Sequence, residues 1–123
     1  MPDPYVFIIG DGDKVRDRLD ALMFAGDLES LKSLSAAVSS AVSSVANGAT
    51  AAMGGDIVVA GGDDLLLRLP AEYFDLDVLE RLRKSFQALT GCSLSIGVAT
   101  ELDGAYLNLR RAKARGGDVI VVT

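Results

Sequence analysis

The stretch DIVVAGGDDLLLRL, Asp56 to Leu69, holds two short apolar runs joined by Gly61-Gly62-Asp63-Asp64. Glycine supplies the backbone freedom of a tight turn, and one Asx residue suffices to complete it. The stretch therefore reads as a β-hairpin, Ile57 to Ala60 and Leu65 to Leu69, closed by Pro70. Two carboxylates side by side at its tip repel each other, which is more than a turn requires. Consecutive strands around such a turn must run antiparallel, so a purely parallel, doubly wound sheet is disfavoured.

On the N-terminal side, Tyr5-Val6-Phe7-Ile8-Ile9 is β-branched and aromatic and runs into Gly10-Asp11-Gly12-Asp13, a buried strand meeting a tight turn. Val15, Leu19, Leu22 and Met23 then share one helical face, broken at Gly26. Asp27 can cap a second helix, in which Leu28, Leu31, Leu34, Val38, Val42 and Val45 recur every three or four residues until Asn47-Gly48 stops it. Its Ser/Ala-rich stretch could pass for a linker, but the sustained period predicts a packed helix. On the C-terminal side, Asp75-Leu76-Asp77 begins a helix that turns Val78, Leu79, Leu82, Phe86 and Leu89 inward and ends at Gly91. Cys92 to Thr100 reads as a strand. Tyr106, Leu109 and Ala112 mark a last helix reaching Gly116-Gly117, and Val119 to Val122 a last strand. The order βααββαβαβ predicts an α+β fold, a mixed and largely antiparallel sheet with helices packed on one face.

Composition bounds the function. The chain has 123 residues, half of them apolar, which suits a single domain over 1–123 with one core. Its apolar runs fall far short of the roughly 20 residues of a membrane-spanning helix, and MPDPY carries no basic-then-apolar leader. A cytoplasmic protein without membrane insertion is expected. A single cysteine, Cys92, excludes an internal disulfide and reads as a small core residue. The absence of histidine removes His-based triads and the usual zinc sites. A net charge of −5 argues against direct nucleic-acid binding, which requires clustered Lys and Arg. Chemistry must rest on carboxylates, lysines, arginines and a metal.

Those groups can be placed. Asp11 ends the first strand, and Asp63 and Asp64 sit at the hairpin tip. If the first strand neighbours the hairpin, the three carboxylates converge on one rim and call for a cation among them. A hard divalent ion such as Mg2+ takes oxygen ligands and shares them with substrate phosphates. Gly61 and Gly62 would let a base or phosphate approach the backbone. Gly10-Asp11-Gly12-Asp13-Lys14 leads into a helix whose free N–H groups suit an anion. It is neither a dinucleotide fingerprint nor a Walker loop, since the required third glycine and the Gly-Lys-Ser/Thr are absent. Each acid alone also fits a structural role, as a hairpin turn or a helix cap. A phosphatase reading of Asp11 and Asp13 lacks the later lysine and acidic pair. By charge alone, Arg110, Arg111, Lys113 and Arg115 read as a solvated helix face.

Taken together, YVFIIGDGD, IVVAGGDDLLLRL, SLSIGVAT and AYLNLRRAKARGGDVIVV resemble the palm-domain nucleotidyl cyclases, a group that includes GGDEF diguanylate cyclases and the polymerase subunit of type III CRISPR systems. With AGGDD in a palm that stands alone, the chain most resembles the minimal CRISPR polymerase family. The resemblance implies a ferredoxin-like palm. It implies Asp11, the Gly12 carbonyl and Asp64 as ligands of Mg2+ or Mn2+, and Asp63 as a second metal ligand or transition-state support, with the three acids catalytic. It further implies a triphosphate contact from Lys113; Gly12, Asp13, Lys14, Gly61, Gly62 and Arg115 complete the candidate nucleotide and phosphate contacts, with Arg115 or Lys14 as substitutes for a family arginine that this chain lacks. Many diguanylate cyclases carry an arginine four residues after the lysine matched by Lys113; this chain has Gly117 there. The implied activity is synthesis of a cyclic di- or oligonucleotide from nucleoside triphosphates, ATP ahead of GTP, by a homodimer, in anti-phage defence through a separate membrane effector. The alternative is a palm that binds or senses a nucleotide without turnover.

Overall fold

The computed structural model describes residues 4–123, so the reading of Met1–Asp3 lies outside the described residues. Its centre is β1 (Tyr5–Gly12), whose alternating side chains are needed on both faces of the sheet. The hairpin strands β2 (Asp56–Gly61) and β3 (Asp64–Pro70) lie on one side of β1, and β4 (Leu94–Ala99) and β5 (Ile120–Val122) on the other. The order is β2-β3-β1-β4-β5. Every neighbouring pair is antiparallel except β4–β5, where a helical crossover returns the chain parallel.

Register decides which residues share a face. Ile9 pairs with Leu66 on one side and Gly97 on the other, and Asp11 pairs with Asp64 and Ser95. The opposite face carries Val6, Ile8, Leu65, Leu67, Leu69, Leu94, Ile96 and Val98. They form one core with α2 (Leu28–Met53) and α3 (Leu76–Thr90), joined by Val15 of α1 (Val15–Phe24). The last helix, α4 (Leu102–Ala114), packs on the other face, against β4, β5 and part of β1. The expectation of helices on one face is therefore corrected. The cause is Gly97: a Cβ there would stand 2.2 Å from the Ala105 carbonyl oxygen and 2.3 Å from the Leu109 nitrogen, so only glycine lets α4 lie on the strand. Because α4 covers only that side, the α4 face of β3 and β2 stays open.

The helix boundaries differ at one place. α2 runs through Asn47-Gly48 instead of stopping there. Gly48 serves packing, since a Cβ at that position would meet Leu82 of α3 at 2.9 Å. The helix ends at Gly54-Gly55, where positive φ angles of 79° and 94° turn the chain into β2. Asp27 and Asp75 cap α2 and α3 through hydrogen bonds from Ser30 N–H and Asp77 N–H. Of the residues expected on inner helix faces, Met23, Leu28 and Leu89 are exposed. Among the described residues no helix is long and apolar enough to cross a membrane.

Candidate active site

The hairpin and β1 bring the predicted carboxylates together. Asp11 and Asp64 are direct partners across the β1–β3 ladder and so point to the same face. Gly62 has φ 55° and Asp63 occupies the second central turn position, an arrangement that favours glycine first. The turn is clamped to β1 by a hydrogen bond from Gly12 N–H to the Asp63 carbonyl at 3.1 Å. Gly12 must lack a side chain for this: a Cβ would stand 2.7 Å from Val15 and 3.2 Å from the Asp63 Cβ. The result is one carboxylate oxygen from each of Asp11, Asp63 and Asp64, all within 4.8 Å of one another.

Electrostatics mark this cluster as unfavourable by itself. Burial, the Asp11 charge and a hydrogen bond with Asp11 push the Asp63 carboxyl up to about 6, and the Asp64 charge adds to the rise. Asp64 is raised too, by burial and by its interaction with Asp11, with Lys113 opposing. Crowded carboxylates hold protons that a cation would replace. Three converging hard-oxygen donors fit a divalent metal ion, and the cluster is a candidate metal centre.

Lys113 stands behind the cluster. From α4 its Nζ reaches the Asp11 carbonyl at 3.3 Å, the Gly12 carbonyl at 3.1 Å, Asp13 Oδ1 at 2.8 Å and Asp11 Oδ2 at 3.2 Å. Three ammonium protons are thus shared among four oxygens. Burial lowers the Lys113 pKa, but the contacts with Asp13 and Asp11 outweigh it, and the net shift is upward. Lys113 is accordingly not part of a solvated face. The Gly12 carbonyl, expected at a metal, accepts from this ammonium.

Asp13 departs most from its expected role. The sequence places it among the candidate nucleotide contacts; the structure buries it beneath the β1–α1 turn, where both oxygens are occupied. Ser93 and Ser95 donate at 2.7 Å each, Asp118 N–H at 2.9 Å, and Lys113 completes the set. Burial raises its pKa, yet these four donors prevail and hold the carboxyl below its usual range. Gly117, at φ 81°, lies against the same carboxylate: a Cβ would meet its Cγ at 2.7 Å. No arginine fits at that position. Lys14, at φ 58° before α1, lines a separate hollow with Asp17 and Arg18, and Arg115 is exposed past α4. Neither side chain lines the hollow that Asp11, Asp64 and Lys113 share. Gly61 and Gly62 have open space where a Cβ would stand.

That hollow is a cleft of about 360 Å³ between α4 and the hairpin, floored by Ile9, Leu66 and Val59, with Tyr106, Arg110 and Lys113 along α4. Tyr106 and Arg110 went unrecognised in the sequence, the first read only as a marker of the last helix and the second as solvated charge. Their positions are the signal: 106, 110 and 113 follow i, i+4, i+7 and share one side of the helix. The Ser93/Ser95 pair likewise follows the period-two rule that sends both side chains to one face. Cys92 is buried as expected, and it has a basic neighbour, since Arg18 Nη1 donates to its Sγ at 3.3 Å.

A family model described as the minimal CRISPR polymerase domain matches residues 7–123. No curated protein matches. Among solved structures, a Csm1-Csm4 cassette in complex with cA4 matches at TM-score 0.68 and 19% identity, over 98% of this chain and 21% of that one. The diguanylate cyclase SiaD, in complex with its activator SiaC from Pseudomonas aeruginosa, matches at 0.63 and 22%, over 98% and 50%. The active GGEEF domain of a diguanylate cyclase from Vibrio cholerae matches at 0.60 and 13%, over 98% and 83%. The chain thus spans about a fifth of the cassette chain and half of SiaD. At these identities the likenesses establish the fold, a ferredoxin-like palm.

Proposed function

The chain belongs to the minimal CRISPR polymerase domain family, and from that premise we infer that it is a metal-dependent nucleotidyl cyclase. It makes a cyclic di- or oligonucleotide from nucleoside triphosphates, ATP ahead of GTP. The observation that carries this reading is the convergence of Asp11, Asp63 and Asp64 within 4.8 Å at the rim of an open cleft.

Asp11, Asp63 and Asp64 would hold the cation, Mg2+ or Mn2+. When bound, such an ion neutralises phosphate charge and lowers the pKa of a ribose hydroxyl. Lys113 holds the end of β1 in place and adds a fixed positive charge beside the carboxylates. Asp13 orients Lys113 from below. In the reaction, the ribose hydroxyl oxygen of one nucleotide bonds to the α-phosphorus of another. The bond from that phosphorus to the β-phosphate breaks, pyrophosphate departs with the electron pair, and the hydroxyl proton passes to solvent. A ring needs this step at least twice, which two palms facing each other as a homodimer supply. Signalling in phage defence through a separate membrane effector follows from the family resemblance.

Mass spectrometry after incubation with each of the four triphosphates and Mg2+ or Mn2+ tests the reading. A cyclic product that disappears with EDTA supports it and names the base. Unreacted triphosphate in every tube, with thermal stabilisation by ATP and metal, would replace it with a palm that senses nucleotide.

A further inference from the structure

The carboxylate cluster is open on two sides. Asp11 and Asp64 line the cleft on the α4 face of the sheet, whereas Asp63 lines a smaller hollow with Val15 and Arg16 of α1 and Val38 of α2. Nucleotidyl transfer needs two nucleotides at one metal centre, and the two sides differ in kind. The α1 side is a hollow of about 170 Å³ that includes the first turn of a helix, where N–H groups lack intrahelical partners. The α4 side is about twice as large and has an apolar floor.

That floor needs an explanation. Leu66 and Ile9 are cross-strand partners, and Val59 is the neighbour of Leu66 on β2. All three face the side of the sheet that α4 leaves bare. Tyr106, 54% exposed, lines the same cleft and offers it an aromatic wall. At the polar end of the same cleft lie Asp11 and Asp64 with Lys113 against Asp11, and Arg110 lines the cleft from α4 between Tyr106 and Lys113. An apolar slot with an aromatic wall at one end and metal-binding carboxylates at the other matches a nucleoside: a flat base, then a ribose whose hydroxyls reach the carboxylates. Arg110 offers charge complementarity to that nucleotide's own phosphates in a chain that is otherwise acidic.

We propose that the cleft between α4 and the hairpin is the acceptor subsite, seating the base of the nucleotide whose ribose hydroxyl attacks, with Tyr106 stacking on it over Leu66 and Ile9. The inference rests on the cyclase reading and assigns its second substrate a place. Base-on-aromatic stacking tolerates every base, so Tyr106 sets affinity while the identity of the base is read elsewhere.

The test is methyl NMR of the full chain titrated with adenosine, which has a base and ribose but no phosphate. Resonances of Ile9, Val59 and Leu66 should shift, and those of Val15, Leu19 and Val38 should not. Tyr106→Ala should weaken the adenosine response about ten-fold or more, and Tyr106→Phe should preserve it. In turnover, Tyr106→Ala should slow cyclic product formation by a similar factor while leaving thermal stabilisation by Mg2+ with inorganic pyrophosphate unchanged. Shifts confined to Val15, Leu19 and Val38, an unaffected Tyr106→Ala, or a wild-type cleft that a second copy of the chain covers against adenosine would each overturn the assignment. If wild-type protein yields no cyclic product, the cyclase reading fails, and the adenosine shifts still report separately on the cleft.

Discussion

Lys113 Nζ and Asp13 Oδ1 meet at 2.8 Å, tying α4 to the turn that follows β1. This contact holds the helix bearing Tyr106 and Arg110 at a set distance from the strand bearing Asp11. Asp13 is therefore a positioning residue beneath the site, and the carboxylates that face solvent are Asp11, Asp63 and Asp64.

Asp13→Ala removes the acceptor of Lys113, Ser93, Ser95 and the Asp118 N–H together. Leaving those donors unpaired should cost about 2–4 kcal/mol, read as a lower midpoint in denaturant unfolding with m unchanged. The linkage sign agrees: a depressed carboxyl stabilises the fold above its unfolded pKa of 3.8, and the contribution is lost as pH falls below that value. Wild-type protein should thus lose more stability than the variant below about pH 4.

Gly97→Ala should be among the most damaging single-methyl changes. The added carbon would strike helix backbone at 2.2 Å and 2.3 Å, and backbone cannot turn aside as a side chain can. A loss of at least about 3 kcal/mol is expected, with α4 amides losing hydrogen-exchange protection before those of α2.

The metal-free protein should become less stable as pH rises from about 4 to 6. Asp63 has its pKa raised from 3.8 to about 6, so in that window the folded state binds the proton that the unfolded state has released. Asp63 is only partly buried, and solvent screening limits the effect to the order of 1 kcal/mol. Thermal melts across this range should show the decline, and saturating Mg2+ at pH 7 should reverse it. Asp63→Asn should flatten the profile and leave the metal-free protein as stable as wild type or more so.

Much of this site was legible in the chain. The hairpin, its pairing with β1 and the convergence of three acids follow from period-two alternation around Gly61-Gly62 and from an acid at the end of a neighbouring strand. The errors share one physical origin. Gly48 and Gly117 look like punctuation in a sequence and Gly97 like one more strand residue, but each marks where another group comes too close for a Cβ: Leu82, the Asp13 carboxylate and the α4 backbone, in that order. The partner in such a contact is remote in the chain, so its identity is not written locally. The same holds for Asp13 and Arg110. A carboxylate near a turn and an arginine on a helix have no visible direction until β4 and α4 are placed.

Pyrophosphate release from ATP and Mn2+, compared between wild type and the Asp63→Asn/Asp64→Asn variant, tests the central claim most directly. The account predicts continuous release by the wild-type chain, abolished in the variant, with both proteins folded by circular dichroism. Equal release from the two, or none from the folded wild type with any of the four triphosphates, would contradict it.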